Sequence, residues 1–327
     1  VLVSNMVGVT MAFAGFAYWA LATQNLIYVA VNIGIQWHYS PWRPTLHGIT
    51  FAPVRRMFRF SCKVLATTIV NHVNNNVLNI LLGHYFSPHD TGNFNQAYQW
   101  NMKSYSLVQS MILQVAQPVL VGLDDDSDRQ LRVFRKMVRF TSFVTFPLLF
   151  GFALVSREFI VLALTEKWLA SASLLQLLCI SGAVMPLCAL FNNMVVSKGR
   201  SDILLWCTFS LGLLQTLMML VIWPWGIHVM VVAFVAINVS WLFVWLYFVR
   251  RLTGYGYLMF ARDVLPFAAA AVAVMSLTYF ATQSIQNLWI LLLSRIAIAA
   301  TAYYAVMRVA HVAILDECID FIRGKMK

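Results

Sequence analysis

The sequence predicts an all-α, polytopic transmembrane helix bundle, and three observations lead to this class. Of the 327 residues, 61% are hydrophobic and only 11% are charged, whereas a soluble domain carries about 25% charged residues. The mean hydropathy is +0.74, and apolar stretches long enough to cross a bilayer recur along the chain. The Lys and Arg residues gather between these stretches, as they do in the cytoplasmic loops of membrane proteins.

About ten spans are expected. The loops between them alternate between basic segments and segments poor in Lys and Arg, with Arg157 and Lys167 as the exceptions. This alternation agrees with the hydropathy and places the C-terminus in the cytoplasm. The expected spans cover residues 1–18, 19–37, 61–82, 93–123, 140–156, 170–196, 203–222, 227–249, 264–282 and 288–307.

A basic, proline-containing segment divides the chain. Residues 38–60 hold Pro41, Pro44 and Pro53, so we expect a cytoplasmic loop here that serves as a hinge. Residues 1–37 then form two helices of an incomplete first lobe, and residues 61–327 form a second lobe of about eight spans with a cytoplasmic tail. Because the chain begins with Val inside an apolar run, we expect N-terminal spans to be missing.

Three other segments between or after the spans carry predictions. Residues 83–92 lack Lys and Arg and are expected to form a loop on the outer face. Residues 124–139 are rich in charge and are expected to form a cytoplasmic loop. Residues 311–327 alternate acidic, apolar and basic side chains, which is typical of an amphipathic helix on the inner surface.

The span 61–82 is too polar to face lipid on all sides. At about 100° per residue, Asn71, Asn75 and Asn79 fall on one side, opposite an apolar side. An unpaired amide in hydrocarbon costs several kcal/mol, so these side chains must face other helices or water. Two interpretations stay open: a wall of a polar cavity, or amides that only bond neighbouring helices.

Several function classes find no support in the motifs. The five cysteines contain no CxxC pair, so neither a zinc site nor a disulfide framework is indicated. The four acidic residues between Asp124 and Asp128 are interpreted as a solvated turn balanced by nearby arginines, not as a metal site. We find no Walker-type loop and no nucleophile–base arrangement, so no cofactor and no catalytic residue is expected. The net charge of +11 comes without a soluble basic face, so nucleic acid is not an expected partner.

Six segments of the chain share a pattern with one known family. They are GFAYWALATQNLIYVAVNIGIQW and WRPTL near the start, GHYFSPHDTGNFNQAYQWNM, QVAQPVLVGLDDDSDRQLRVFRKMVR, FPLLFGFALVSREFIVLALTEKWLAS and the turn SKGRSD. These segments resemble the oligosaccharide flippases (Wzx/WzxC-like) of the multidrug/oligosaccharidyl-lipid/polysaccharide exporter superfamily. The resemblance covers most of the chain and is strongest over residues 10–202.

The resemblance implies a bundle of two related lobes around a cavity that opens alternately to each side of the membrane. The implied substrate is a polyprenyl-diphosphate-linked oligosaccharide, carried across the bacterial inner membrane for lipopolysaccharide, capsule or exopolysaccharide synthesis. Membrane lipids and the polysaccharide polymerase and export machinery are the implied partners. A chain with only part of the first lobe is a partial flippase of this kind.

Such a substrate needs cations for its diphosphate and hydrogen-bonding groups for its sugars. Lys103 is the main candidate cation because it lies within the polar span 93–123, although interface snorkelling and a structural ion pair stay open as alternatives. Lys63 is a second candidate, with snorkelling to the cytoplasmic surface as the open alternative. The amides Asn71, Asn75, Asn79, Gln99 and Gln114 are the candidate sugar-binding side chains. Trp100 is interpreted as an interface anchor.

Two further function classes are weighed against a flippase. A cation-coupled multidrug antiporter of the same superfamily would need a carboxylate deep in a span, and the sequence places Glu158 and Asp263 only at span edges. A membrane-bound glycosyltransferase or polymerase would need a large loop with catalytic carboxylates, and the longest loops expected here hold roughly twenty residues. A purely structural subunit is disfavoured by Lys103 and the asparagine-rich helix.

Overall fold

Eleven α-helices make up the part of the chain that the computed structural model describes, which is residues 2–13, 15, 17–40, 52–123, 126–310, 312 and 314–317. The helices are α1 Leu2–Phe13, α2 Ala17–Tyr39, α3 Ala52–Tyr85, α4 Pro88–Gly122, α5 Ser127–Leu154, α6 Ser156–Leu164, α7 Leu169–Ser197, α8 Ser201–Ile222, α9 Ile227–Thr253, α10 Tyr257–Ala281 and α11 Leu288–Val309. These residues contain no strand, so the all-α class is confirmed.

The described residues contain six helices that are long and apolar enough to cross a membrane, fewer than the ten spans expected. These six are α5 and α7 to α11, which correspond to the last six expected spans. The other four expected spans correspond to α1, α2, α3 and α4, which are not among these six helices. Helix α1 has only 12 residues, and α2, α3 and α4 carry too many polar or charged side chains for their length. The polytopic membrane class therefore stands with a smaller count of purely apolar spans.

Two of the expected loops are helical instead. The outer loop predicted over residues 83–92 shrinks to Phe86 and Ser87, because α3 continues to Tyr85 and α4 begins at Pro88. The Ser87 side chain caps α4 by accepting a hydrogen bond of 3.1 Å from the Asp90 N–H, and Pro88 suits the first helical position since it has no N–H to satisfy.

Residues 127–139 of the charged segment form the first turns of α5, where a cytoplasmic loop was expected over 124–139. Asp126 caps the helix by accepting from the Arg129 N–H at 3.0 Å. Gln130, Phe134 and Val138 then follow at helical spacing and are buried, while Arg132 and Lys136 between them are exposed. A helix with one buried face accommodates this charge density better than an unpaired loop does.

The segment expected as the 38–60 loop is helical in its last part. α3 begins at Ala52, and Pro53 falls in its first turn, where a missing N–H breaks no hydrogen bond. Residues 41–51, with Pro41 and Pro44, lie outside the described residues. Most of the tail 311–327, which was expected to be amphipathic, also lies outside them.

The chain separates into two compact units, Val1–Met57 and Phe58–Lys327. In the N-terminal unit, α1 and α2 pack together, and the Gln24 amide donates to Asn5 Oδ1 at 2.8 Å. In the C-terminal unit, α7 is the central helix and packs against α4, α5 and α9.

Short turns make successive long helices of the C-terminal unit run in opposite directions. We call one end of this unit the basic end: α4, α7, α9 and α11 end there, and α5, α8 and α10 begin there. The segment 198–200 and the residues Arg250 and Arg251 belong to this end, as do the arginines at the start of α5. The other end, where α5 meets α6 and α10 meets α11, is called the opposite end.

Gly182 on α7 packs directly against Asn101 of α4. A Cβ atom at Gly182 would overlap Asn101 Oδ1 and would lie 3.2 Å from Leu149 Cδ1. We expect Gly182→Val to lower the free energy of unfolding by about 1–3 kcal/mol, because the added methyl groups overpack this contact. Thermal unfolding in detergent measures the loss.

A double substitution tests the cause. Asn101→Ala removes the atom that the new side chain would meet, so the pair Asn101→Ala with Gly182→Ala is expected to lose less stability than the sum of the two single changes. If the two effects simply add, the contact between Asn101 and Gly182 does not limit the packing of α4 on α7.

Candidate functional site: a polar stripe on α4 and two buried ion-pair clusters

Helix α4 has a buried face and an exposed face, and both faces carry polar side chains. One face is buried against the rest of the C-terminal unit, mainly α7 and α5. This face contains polar groups as well as apolar ones: Asn93 accepts a hydrogen bond of 2.8 Å from the Ser171 hydroxyl, and Asn101 is buried with its Oδ1 atom unpartnered. Its buried residues are Asn93, Phe94, Ala97, Asn101, Val108, Ile112, Ala116 and Leu120.

The opposite face of α4 carries a continuous row of exposed polar side chains, which we call the polar stripe. Its spacing of three or four residues keeps it on one side of the helix. From first to last residue it covers about 27 Å, close to the thickness of the hydrocarbon layer. The polar stripe consists of Gln99, Lys103, Ser106, Ser110, Gln114 and Gln117.

Hydrocarbon does not solvate such a stripe. The Ser106 and Ser110 hydroxyls donate to backbone carbonyls within α4, at 3.0 and 2.9 Å. The amides of Gln99 and Gln114 and the ammonium of Lys103 have no hydrogen-bond or ion-pair partner among the described residues. Because unpaired polar groups cost several kcal/mol each in lipid, this face of α4 requires water, a polar ligand or the polar groups of another helix.

The sequence-predicted site residues Lys103, Gln99 and Gln114 thus lie together on one exposed face. The Lys103 Nζ atom lies 4.7 Å from the centre of the Trp100 ring, a cation–π contact that orients the ammonium without neutralising it. Trp100 itself is partly buried and packs edge-to-face against Phe159 at 4.8 Å. The indole therefore contacts the protein core, in addition to any contact with the membrane interface.

The other predicted residues lie on α3. The side chains of Lys63, Asn71, Asn75 and Asn79 lie outside what the structure describes, although their helix is described. The described side chains of α3 include an exposed apolar row at helical spacing, formed by Leu65, Ile69, Val73 and Ile80. Such a row suits contact with lipid tails.

Sequence reasoning missed a buried ion cluster at the basic end. The Asp263 carboxylate on α10 is fully buried, and Arg135 Nε and Nη2 on α5 donate to it at 2.9 and 3.1 Å. Arg139 Nε donates at 2.6 Å, and the Tyr255 hydroxyl donates at 3.2 Å. Burial, followed by the charge of Asp263, raises the pKa of the Tyr255 phenol, so it stays protonated and acts as a donor.

A second buried cluster lies at the opposite end. Arg295 Nη1 lies 2.9 Å from Glu158 Oε1 and donates to the Leu154 carbonyl at 3.1 Å, and its Nε donates to Thr282 Oγ1 at 3.1 Å. The guanidinium carbon of Arg295 also lies 5.4 Å from the centre of the Tyr279 ring. Glu158 Oε2 is buried without a partner. This cluster ties α6, α10 and α11 together.

Both carboxylates are therefore buried, deeper in the protein than their positions near span edges suggested. Each is bound by an arginine from a neighbouring helix, so neither is a free carboxylate among the described residues. One signal was available: Arg135 and Arg139 lie four residues apart, on one face of a helix if the segment is helical. Because residues 124–139 were expected to form a loop, this spacing was not interpreted as one face of a helix.

No group of three or more His, Cys, Asp or Glu side chains that could hold a metal ion gathers within the described residues.

The fold defines a multi-pass membrane protein built as an α-helical bundle. The chain matches the solved structure of the lipid II flippase MurJ in its inward closed conformation, with a TM-score of 0.70 over 95% of this chain and 66% of that chain. The sequence identity is 14%, so this likeness concerns the fold.

Residues 1–173, more than half of the chain, match the family model described as polysaccharide biosynthesis protein, and the chain belongs to that family. It is 26% identical over 204 residues to the lipopolysaccharide biosynthesis protein WzxC of Escherichia coli K12, covering 61% of this chain and 41% of that protein. It is 29% identical over 150 residues to the teichuronic acid biosynthesis protein TuaB of Bacillus subtilis 168, covering 46% of this chain and 31% of that protein. The chain thus spans less than half the length of these relatives.

Proposed function

We propose that this chain is part of a flippase that carries a polyprenyl-diphosphate-linked oligosaccharide across the bacterial inner membrane by alternating access. The observation that carries the proposal is the polar stripe of α4, which is about as long as the hydrocarbon layer is thick and carries one ammonium without an ion-pair partner among the described residues. The family membership and the flippase fold support it. The proposed role is transport, with no catalytic residue.

The chemistry of the polar stripe suits such a substrate. Lys103 is assigned to the diphosphate, since a charge-assisted hydrogen bond to phosphate is about twice as strong as a neutral one. Gln99 and Gln114 are assigned to sugar hydroxyls, because an amide offers both a donor and an acceptor. Lys63, Asn71, Asn75 and Asn79 on α3 are kept as further candidates for the same pathway.

The organisation of the chain is part of the proposal. Residues 1–37 are assigned to the end of a first lobe, residues 38–60 to a linker and residues 61–327 to a second lobe. The basic end faces the cytoplasm under the positive-inside rule, which also places the C-terminus there. The polysaccharide polymerase and export machinery are the proposed partners.

A cation-coupled drug antiporter is the alternative that the described residues favour less. Such a transporter needs an ionisable carboxylate that can exchange its cation. The two fully buried carboxylates of the described residues, Glu158 and Asp263, are each held by arginine. An arginine partner already occupies the carboxylate, which opposes the binding of an exchangeable cation.

Replacing Lys103 by alanine is expected to reduce transport by about ten- to a hundredfold, the size of losing one hydrogen bond to a charged group. The complete gene and its variants are expressed in a strain that lacks its own exporter. Lipid-linked oligosaccharide on each leaflet and polysaccharide at the cell surface are then measured. Lys103→Ala should trap the lipid on the inner leaflet at a normal protein level.

Lys167→Ala is the matched control. Lys167 is also an exposed lysine beside an indole, with its Nζ atom 5.9 Å from the Trp168 ring, but it lies at the opposite end near a helix start. It should support normal transport. Equal losses in both variants, or export by Lys103→Ala at the wild-type rate, would contradict the role of Lys103. Failure of the wild type with every matched glycan lipid would contradict the flippase itself.

A further inference from the structure

A groove at the basic end has features that the transport proposal does not use. It has a volume of about 270 Å³ and lies between α10 and α11, with Arg139 of α5 at its rim. Its walls are apolar along both helices, while its mouth carries two guanidinium groups. Its lining includes Arg139, Arg262, Phe267, Ala270, Val306 and Met307.

The charge at this groove is not balanced by the described residues. Arg135 and Arg139 share the single carboxylate of Asp263, which leaves one positive charge. Arg262 is exposed and has no ion pair or hydrogen bond to another described residue, which adds a second.

The neighbouring charges are already paired. Lys136 binds Glu317 at 2.7 Å, and Arg308 binds Asp316. Each of these two ion pairs has no net charge, so the groove keeps an excess of two positive charges at its mouth. This excess is complementary to a phosphate group.

The shape of the groove indicates what carries the phosphate. Arg262 lies within two turns of the start of α10, close to the basic end of this helix. From Arg262 to Ala270 the helix advances about 12 Å toward the middle of the span. An anion with an apolar tail of this length fits cations at the mouth and an apolar wall below them. Basic pockets between transmembrane helices on the cytoplasmic side bind anionic lipid head groups in this way.

We propose that this groove binds an anionic phospholipid, with its phosphate held by Arg139 and Arg262 and an acyl chain against Phe267, Ala270 and Val306. This lipid is a resident ligand, distinct from a transported substrate. It joins α5, α10 and α11 at the basic end, where Asp263 already links α5 to α10.

The test is a binding measurement on the purified chain in detergent. Short-chain phosphatidylglycerol is the probe, and phosphatidylcholine with the same chains and inorganic phosphate are titrated separately. Phosphatidylglycerol is expected to bind at least about tenfold more tightly than phosphatidylcholine, because each nearby arginine raises the affinity for an anionic head group about fivefold. Arg262→Gln is expected to weaken phosphatidylglycerol about fivefold without affecting the fold, because Arg262 has no partner among the described residues.

Two further variants separate the groove from general surface charge. Arg132→Gln removes an exposed arginine of α5 at the same end that does not line the groove, and it should leave binding unchanged. Ala270→Phe fills the apolar wall without changing the charge, and it should weaken phosphatidylglycerol but not inorganic phosphate. Unchanged melting temperatures for these variants show that each is folded.

Three results would overturn the proposal. Equal losses in Arg132→Gln and Arg262→Gln would indicate diffuse surface charge. Inorganic phosphate that binds as tightly as the lipid, with no effect of Ala270→Phe, would indicate a simple anion site. Wild-type affinity for phosphatidylglycerol in Arg262→Gln would indicate that the groove does not hold the head group.

Discussion

Replacing Arg295 by methionine is expected to lower the free energy of unfolding of the C-terminal unit by about 3–5 kcal/mol. The side chains of Arg295 and Glu158 are only 8% and 4% exposed, so neither can reach water when its partner is lost. The substitution leaves a buried carboxylate whose Oε2 atom already lacks a hydrogen bond. It also removes the donors to Leu154 and Thr282. Unfolding in a denaturing detergent series measures the loss.

Two comparisons make this prediction specific. Glu158→Leu combined with Arg295→Met removes both charges, and it is expected to restore most of the stability, since apolar side chains replace buried pairs at little cost. Arg308 lies on α11, the same helix as Arg295, and forms an exposed ion pair with Asp316. Arg308→Met breaks this pair and is expected to change the free energy of unfolding by less than about 1 kcal/mol. If Arg295→Met is no more harmful than Arg308→Met, the Glu158 pair is not held away from water.

Replacing Asp263 by alanine is expected to cost about 2–4 kcal/mol. It leaves Arg135 and Arg139 without their acceptor at the contact between α5 and α10. The cost is below that of the Arg295 substitution, because the two arginine side chains are 30% and 44% exposed and can turn toward water. The same unfolding series measures it.

Replacing the arginines instead of the carboxylate tests how much each partner stabilises this cluster. Arg135→Gln alone should be mild, because Arg139 still holds the carboxylate. Arg135→Gln with Arg139→Gln should be worse than Asp263→Ala, since it leaves a fully buried carboxylate with Tyr255 as its donor among the described residues. Asp202→Ala, which breaks the exposed pair with Arg200, is the control and should change little. A double variant as stable as the wild type would show that the arginines do not stabilise α10.

The two clusters and the polar stripe explain why sequence reasoning succeeded unevenly. Lys103, Gln99 and Gln114 were recognised because they are polar within a long apolar context, and their helical spacing alone places them on one face of α4. The same reasoning placed residues 83–92 and 124–139 in loops, since charge and turn residues outweighed weak periodicity. The buried positions Gln130, Phe134 and Val138 carried the helical signal in the second segment, but it is short and interrupted by charges.

By itself, the sequence determined the all-α membrane class, the positions of the six apolar spans and the polar side chains of α4, because these follow from composition and from a period of 3.6 residues. Only the tertiary structure decided the partners of Asp263 and Glu158, which lie more than 120 positions from Arg135 and Arg295 along the chain. It also decided that Gly182 meets Asn101 and that Arg262 stands beside an apolar groove. Contacts of this kind depend on which helix faces pack together, and a local pattern does not contain that information.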